Sequence, residues 1–348
     1  MRKHPASRSR RLGFRVTPLT VIAAAVVVLL VISQVYVTGS FFERASLSVL
    51  TPLIGVMVIV AVGQAFVMGT GGIDLTVPSV MTLMGAIVLK QSQSQNGRLA
   101  GALVLCLVAC VVIGLINGLL IEVLRLNALV VTLAVGQLVA GFTRIYRGQV
   151  LAYTNVPRDL SNAAGAALGD ISYILIVSVA LALVGGFFLH RVVTGRRLVA
   201  SSAAPTTAKL TGIRATGYRV LAYVIAACSY GVGGVLLAGQ LGTPDLTLGD
   251  PYLLTSIVAV VLGGATLTGG RVSPMATLLG AAFVTILDYD LRVKGYSAGT
   301  RLLVQGVVLV LALSLSYGLR NVGRLRSLVR RGGAAPPPLE LDQGAVPV

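Results

Sequence analysis

Residue types that hold metals and form disulfides are scarce in this sequence. It contains no tryptophan, two histidines and three cysteines in 348 residues. Cys106, Cys110 and Cys228 lie inside apolar runs without a Cys-x-x-Cys spacing, so we expect packing residues rather than a disulfide framework or a metal site. His4 and His190 have no ligand partner near them in the sequence. We therefore assign no metal site and no catalytic residue.

The sequence also lacks a phosphate-binding loop of the GxxxxGK[ST] type. None of its four lysines, Lys3, Lys90, Lys209 and Lys294, is followed by serine or threonine. The chain is therefore not expected to bind ATP by that route, to be an enzyme or to hold a cofactor of its own. If ATP drives its activity, the ATPase must be another subunit.

Charged residues are also scarce. Charged residues make up 11% of the chain and apolar residues 55%, which indicates an all-α polytopic membrane protein rather than a soluble domain. The net charge is +17, but the basic residues gather at the two termini and in one central loop, without interleaved aromatic residues. This pattern does not favour nucleic-acid binding. It fits a cytoplasmic face beside anionic membrane lipid.

A helix needs roughly 20 residues to cross a bilayer core of about 30 Å, and ten apolar spans can be compared with that length. The span beginning at Leu75 and the two spans beside Gly269 are short for a full crossing, which is typical of broken or tilted helices that line a pathway. The spans lie near 17–37, 47–69, 75–89, 99–121, 127–143, 171–190, 219–239, 252–268, 274–288 and 301–318.

The distribution of lysine and arginine sets the expected orientation. With both termini in the cytoplasm, most of the 28 basic residues fall on the cytoplasmic side of ten spans. We therefore expect a basic cytoplasmic tail at 1–16 and a transmembrane domain at 17–320 that contains a cytoplasmic loop at 191–218. Residues 321–348 are predicted to be a basic and then Pro/Ala-rich disordered cytoplasmic tail.

Asp74 is the most informative single residue, in the segment TGGIDLTVP at 70–78. An ionisable group inside a membrane domain is costly and usually has a function. It either caps the helix that follows or contacts a polyhydroxylated ligand in a pathway, and the sequence leaves both interpretations open. Asp74 is the only acidic residue well away from a predicted membrane boundary, which disfavours a proton-coupled relay.

A segment similar to the one around Asp74 occurs later in the chain. TGG at 70–72 precedes VPSVMTLMGA, and TGG at 268–270 precedes VSPMATLLGA. Each copy opens a predicted span with a Gly-Gly break and a nearby proline, on the cytoplasmic side. This favours a parallel internal repeat, with chance similarity between two glycine-rich segments as the alternative.

A short cytoplasmic helix is predicted at 204–213, where the sequence is APTTAKLTGI. Proline stands at its first turn and glycine at its end, as at many helix boundaries. The helix either docks on a partner protein or rests as an amphipathic segment on lipid beside the arginines that flank it. The sequence does not decide between these two.

Several of these motifs together resemble a known family. They are AVGQAFV at 61–67 leading to GGIDLT at 71–76, VVTL at 130–133, GR at 195–196 followed by AKLTGI at 208–213, and IVAVVLGG at 257–264 running to LTGGR at 267–271. The chain resembles the membrane permease subunits of ABC sugar importers, in the ribose, xylose and galactose branch of the branched-chain amino acid and sugar permease superfamily. The resemblance covers about residues 45–320.

The resemblance implies a fold and a set of partners. It implies about ten spans in a bacterial inner membrane, a second permease subunit of the same or another kind, a pair of cytoplasmic ATPases that hold ATP and Mg, and an extracytoplasmic sugar-binding protein. The implied substrate-pathway residues are Gly71, Gly72, Asp74, Thr76, Thr132, Gly269 and Gly270. The implied ATPase-coupling residues are Arg196, Pro205, Ala208, Lys209, Leu210, Gly212 and Ile213.

The predicted function is the import of a monosaccharide through a dimer of permeases. Alternatives are the same scaffold importing a nucleoside, a furanone-like signalling sugar or a branched-chain amino acid, a secondary transporter without an ATPase, or a lipid-facing scaffold. The chain departs from the usual family pattern at Pro78, where glycine is usual, and at Ser202, Ala204 and Pro205 before the coupling helix.

Overall fold

The computed structural model describes residues 17–36, 41–148, 155–203 and 215–331. This part of the chain folds into twelve α-helices and one two-stranded hairpin, β1 (Ala167–Leu168) paired antiparallel with β2 (Ile171–Ser172). The helices are α1 (Pro18–Tyr36), α2 (Arg44–Gly69), α3 (Val77–Ser92), α4 (Leu99–Glu122), α5 (Ala128–Arg147), α6 (Arg158–Gly165), α7 (Tyr173–Arg191), α8 (Val193–Ala203), α9 (Ala215–Leu241), α10 (Tyr252–Leu262), α11 (Pro274–Val293) and α12 (Ala298–Arg331).

Each of the ten predicted spans overlaps one of these helices, which confirms an all-α polytopic architecture. Within the described residues, seven helices are long and apolar enough to cross a membrane, namely α1, α2, α4, α5, α7, α9 and α11. Helix α3 has 16 residues and α10 has 11, so they measure about 24 Å and about 17 Å. These short helices precede or follow the loops at 70–76 and 263–273, as expected for broken spans.

The core lies around α2 and α3. Helix α2 is buried on all faces from Leu50 to Gly69, and α3 is buried along nearly its whole length. Such helices are apolar all round because they have no solvent or lipid face. By contrast, α1, α4, α5, α7 and α12 expose many large aliphatic side chains. We interpret those faces as the lipid-facing surface of a multi-pass membrane protein.

Glycines let the central helices approach one another closely. A Cβ atom on Gly114 of α4 would lie 2.6 Å from the Cα of Val224 in α9, and one on Gly234 of α9 would lie 2.6 Å from the carbonyl oxygen of Met81 in α3. In a membrane, where apolar burial gives helices little reason to associate, small residues at crossings give close van der Waals packing. Helix α9 is thereby fixed against both α3 and α4.

The helix ends fall at two ends of the bundle. We call the end that contains the loops 70–76 and 263–273 the break end. Helix α1 begins there, since a Cβ atom on Gly264 would lie 2.5 Å from the Cβ of Pro18. The start of α8, the end of α7 and the end of α4 also lie at this end, as the contacts described below show.

The other end, which we call the opposite end, holds the remaining loops. There Arg44 at the start of α2 pairs with Asp170 of the hairpin at 3.2 Å. The Val156 amide donates to the carbonyl of Gly242, just after α9, at 2.9 Å. Consecutive spans therefore alternate in direction, and α1 begins and α12 ends toward the break end.

Several element boundaries differ from the prediction. Helix α10 ends at Leu262 rather than near 268, because Gly263 and Gly264 follow and Gly264 has a φ of +82°. Helix α12 continues to Arg331, so the basic part of the segment predicted as a tail from 321 is helical. The predicted tail segments 1–16 and 332–348 lie outside the described residues.

Candidate functional site

The two Gly-Gly breaks contact each other at the break end. Gly71, Gly269 and Gly270 have φ values of +86°, +79° and +80°, a region that favours glycine. The Gly270 amide donates to the carbonyl of Gly69 at 3.0 Å, and a Cβ atom on Gly269 would lie 2.6 Å from the Gly71 amide nitrogen. The two similar segments, nearly 200 residues apart in sequence, thus meet backbone to backbone.

Asp74 is fully buried in the loop that follows the first break. Its Oδ1 atom accepts hydrogen bonds from the Thr76 amide at 2.9 Å and from the Thr76 hydroxyl at 2.6 Å. Thr76 is the N-cap residue of α3, and its side chain makes no capping bond to that helix. Asp74 therefore holds the residue that starts α3 rather than capping the helix itself, and α3 begins at Val77 rather than at Leu75.

The other oxygen of Asp74 is available for an interaction. Oδ2 is buried and has no hydrogen-bond partner among the described residues. Asn117 of α4 donates to the Thr76 hydroxyl at 3.4 Å, while its own Oδ1 atom is likewise buried and without a partner in the described part of the chain. Two acceptor oxygens around Thr76 are thus left for a donor that this conformation does not supply.

Three further polar side chains lie deep between α2 and α9. The Tyr230 hydroxyl donates to Oε1 of Gln64 at 2.6 Å, and both residues are fully buried. Nε2 of Gln64 has no partner within the described ranges. The Tyr223 hydroxyl touches the first break, because a Cβ atom on Gly72 would lie 2.3 Å from it.

We call these residues, together with the Asp74 group, the buried polar cluster, which consists of Gln64, Asp74, Thr76, Asn117, Tyr223 and Tyr230. Sequence reasoning placed only two of the six in the site. Gln64 and Asn117 carried a usable signal, since each is an uncharged polar residue inside an apolar run. The two tyrosines did not, since hydropathy does not show which face of a helix they occupy.

Thr132 connects α5 to the same loop. Its hydroxyl lies 3.3 Å from the carbonyl oxygen of Ile73 and 2.8 Å from that of Ala128 in its own helix, and the side chain is fully buried. With this contact, the structure brings all seven predicted pathway residues to two touching loops and the helix starts beside them. The residues are Gly71, Gly72, Asp74, Thr76, Thr132, Gly269 and Gly270.

Helix α8 lies at the break end and carries the first predicted coupling residue, Arg196, which is exposed. The helix turns sharply from α7, because a Cβ atom on Gly195 would lie only 2.1 Å from the carbonyl oxygen of Phe188. The remaining predicted coupling residues lie outside the described residues, in the segment 204–214. They are Pro205, Ala208, Lys209, Leu210, Gly212 and Ile213.

The last turn of α8 is bonded to the break end in two places. The Ser202 hydroxyl donates to the carbonyl of Thr70, immediately before the first break, at 3.0 Å. Arg219 of α9 donates to the carbonyl of Ser201 at 2.9 Å and forms a 3.5 Å ion pair with Glu122 at the end of α4. One of the residues that departs from the usual family pattern, Ser202, thus contacts the first break directly.

Two further acidic residues lie in the last turns of α11, toward the opposite end. Helix α11 extends to Val293, beyond the predicted end at 288, so Asp288 and Asp290 both lie on it. Asp288 pairs with Arg301 of α12 at 3.0 Å, which balances its charge. Asp290 is 4% exposed and lies 2.5 Å from the Ser33 hydroxyl, near the opposite end.

Within the described residues, no group of three or more histidine, cysteine, aspartate and glutamate side chains is arranged to hold a metal ion. The three cysteines are free thiols. Cys110 packs near Met84 of α3 and beside Gly231 of α9, where a Cβ atom would lie 2.2 Å from its sulfur. The expected role in packing agrees with these contacts.

The sequence comparisons are consistent with this architecture. The chain is 32% identical to the ribose import permease protein RbsC of Bacillus subtilis over 295 residues, which cover 82% of this chain and 89% of that protein. It is 28% identical to the fructose import permease protein FrcC of Rhizobium meliloti over 320 residues, covering 88% and 87%. It is also 28% identical to the autoinducer 2 import system permease protein LsrC of Escherichia coli over 314 residues, covering 87% and 88%.

No solved structure matches the chain at a significant level. Residues 46–313, which span α2 through most of the apolar part of α12, match the family described as branched-chain amino acid transport system / permease component. The match covers the two breaks, the buried polar cluster and α8. This chain therefore belongs to the branched-chain amino acid transport system / permease component family of membrane transport proteins.

Proposed function

We propose that this chain is the membrane-spanning permease subunit of an ATP-driven ABC importer for a monosaccharide of the ribose type. The observation that carries the proposal is the similarity, over 82–88% of this chain, to import permeases for ribose, fructose and autoinducer 2. The fold supports it, because two broken spans meet at a buried polar cluster. A purely structural membrane protein would have no need of either feature.

The break end is the cytoplasmic end in this proposal. It exposes Arg196 and Arg197 on α8, Arg125 between α4 and α5, and Arg271 in the second break loop. An excess of basic residues over the other side is the usual mark of the cytoplasmic face. Because α1 begins and α12 ends toward this end, both termini would lie in the cytoplasm of a bacterial cell, on the inner membrane.

The expected partners would bind at the two ends of the bundle. Cytoplasmic ATPase subunits, which hold ATP and Mg, would dock at the segment 204–214 and α8. An extracytoplasmic sugar-binding protein would deliver substrate to the opposite end, where α6 and the hairpin form the surface. A second permease subunit, identical or not, would complete the pathway. This chain itself would bind no cofactor and hydrolyse no ATP.

The substrate pathway would pass the buried polar cluster. Its unpaired atoms, Oδ2 of Asp74, Oδ1 of Asn117 and Nε2 of Gln64, could accept from and donate to the hydroxyl groups of a sugar. In this conformation the atoms are buried. They would therefore act in a state in which the helices around them have separated. Binding must differ between states for transport to be driven in one direction.

The test is reconstitution of the chain with candidate ABC ATPase and sugar-binding proteins from the same organism. Proteoliposomes loaded with Mg-ATP should accumulate radiolabelled ribose or fructose, while matched proteoliposomes without ATP should not. A ligand screen of the binding protein would identify the solute and distinguish a sugar from a nucleoside or an amino acid. Uptake by the chain alone, driven by an ion gradient, would overturn the proposal in favour of a secondary transporter.

A further inference from the structure

We propose that Ser202 couples the cytoplasmic loop to both Gly-Gly breaks at once, through a set of contacts that we call the coupling relay. The relay consists of Ser202, Thr70, Gly71, Gly269 and Gly270. It rests on the proposed function, since it states how ATPase movement would reach the substrate pathway. Its consequence is that α3 and α11 are displaced together rather than one after the other.

The relay begins at the last turn of α8, which directly precedes the segment 204–214 expected to dock on the ATPase. The inward face of α8 is tightly held, with Leu198 and Ser201 fully buried. The bond from Arg219 to the Ser201 carbonyl fixes this turn to α9 as well. A force on the docking segment would therefore act on a short helix end that is packed against its neighbours.

The second step is the hydrogen bond from Ser202 to the carbonyl of Thr70 at 3.0 Å. Thr70 directly follows α2 and is 7% exposed, so its side of the bond is largely buried. Its own side chain is bonded to the carbonyl of Val67 within α2. Ser202 thus donates a hydrogen bond to the carbonyl of the residue that directly precedes Gly71, although the two residues are 132 positions apart in the chain.

The third step joins the two breaks. The Gly270 amide donates to the Gly69 carbonyl, and the gap between Gly269 and Gly71 has no room for a methyl group. A contact made by backbone atoms cannot relax by rotation of a side chain. Close-packed interiors transmit displacement because they contain few voids to absorb it. A shift at the first break therefore moves the second.

The two breaks lead to two helix starts. On one side, Asp74 fixes Thr76 at the start of α3. On the other, the Ser273 hydroxyl accepts from the Ala276 amide at 3.4 Å and caps α11. Each loop is thus attached to the helix that follows it. Movement of the joined breaks would change the positions of α3 and α11 in one step.

The relay can be tested on the full-length chain in lipid nanodiscs by hydrogen–deuterium exchange of the loops 70–76 and 263–273. Ser202→Ala removes the bond to Thr70 and should raise exchange several-fold in both loops. Ser201→Ala is the matched control, because the Ser201 hydroxyl bonds only to the Leu198 carbonyl of its own helix in the described contacts. It should leave both loops at the wild-type rate. Ser202→Thr, which keeps the hydroxyl, should restore protection.

Exchange that is unchanged in both loops, or raised only in 70–76, would overturn the relay. In the reconstituted complex, Ser202→Ala should also raise the number of ATP molecules hydrolysed for each ribose or fructose imported, while Ser201→Ala should not. The exchange experiment needs no ATPase and no sugar. Absence of ATP-driven uptake by the wild-type complex would therefore reject the proposed function, whereas the exchange result decides the relay by itself.

Discussion

Substitution of Gly269 by alanine tests the contact between the two breaks. The new methyl group would lie 2.6 Å from the Gly71 amide nitrogen, well inside van der Waals contact, and the backbone there has a φ of +79°. An alanine at positive φ costs about 1–2 kcal/mol. Forcing a methyl group into packed backbone adds about 1–3 kcal/mol. We therefore expect a loss of about 2–5 kcal/mol in the free energy of unfolding.

The matched control is Gly295→Ala. Gly295 lies in the turn between α11 and α12 with a φ of +77°, so alanine has the same backbone cost there, but no atom lies within 4 Å of the added methyl group. The expected loss is about 1–2 kcal/mol from the backbone alone. The difference between the two variants isolates the contact between the breaks.

Unfolding by SDS in mixed micelles, followed by tyrosine or helix signals, gives the free energies of both variants. The reasoning would be refuted if the two alanine variants lost the same free energy to within about 0.5 kcal/mol, the range expected for a substitution that meets nothing. It would be supported if Gly269→Ala also lowered ATP-driven uptake of ribose or fructose while Gly295→Ala retained it.

Two further pairs of substitutions test the site and the core. Asp74→Asn should keep near wild-type stability, because the amide oxygen can still accept from Thr76. Asp74→Ala should lose about 1–3 kcal/mol in the free energy of unfolding in SDS, because it leaves the Thr76 amide unpaired. Equal stability of the two variants would contradict this. Gly234→Ala should lose about 1–3 kcal/mol by clashing with Met81 of α3. Gly306→Ala, where no atom lies within 4 Å of the added methyl group, should raise the free energy of unfolding by up to about 1 kcal/mol, because alanine has the higher helix propensity. A higher free energy of unfolding in both glycine variants would refute close packing at Gly234.

Hydropathy was sufficient to predict ten of the twelve α-helices in the described residues, because each of these ten apolar runs is long enough to form a recognisable helix. It also located both glycine breaks. It misplaced the start of α3, since Asp74 and Thr76 bond to each other locally. Such short-range bonds offer the backbone an alternative to helix, so Leu75 stays outside it. The end of α10 was misplaced for another reason, since Gly263 and Gly264 follow it and Gly264 has a φ of +82°.

Contacts between distant segments could not be predicted from one sequence. The similarity of the two TGG segments suggested a repeat, but similarity carries no information on whether two segments touch. The contact needs α2 and α10 to end at the same level of the bundle, which follows from the packing of several helices together. Likewise, Tyr223 and Tyr230 are buried because α9 is surrounded on several sides, and only the assembled fold shows this.

The geometry of Asp74 connects its two proposed roles. Both of its hydrogen bonds use Oδ1 and both go to Thr76, so in this conformation the residue is a brace for the start of α3. The unpaired Oδ2 is closed off among buried neighbours. A sugar hydroxyl can reach it only if the loop 70–76 moves, and that loop is joined to the second break. Contact between Asp74 and substrate therefore requires the same concerted movement of α3 and α11 that the coupling relay would produce.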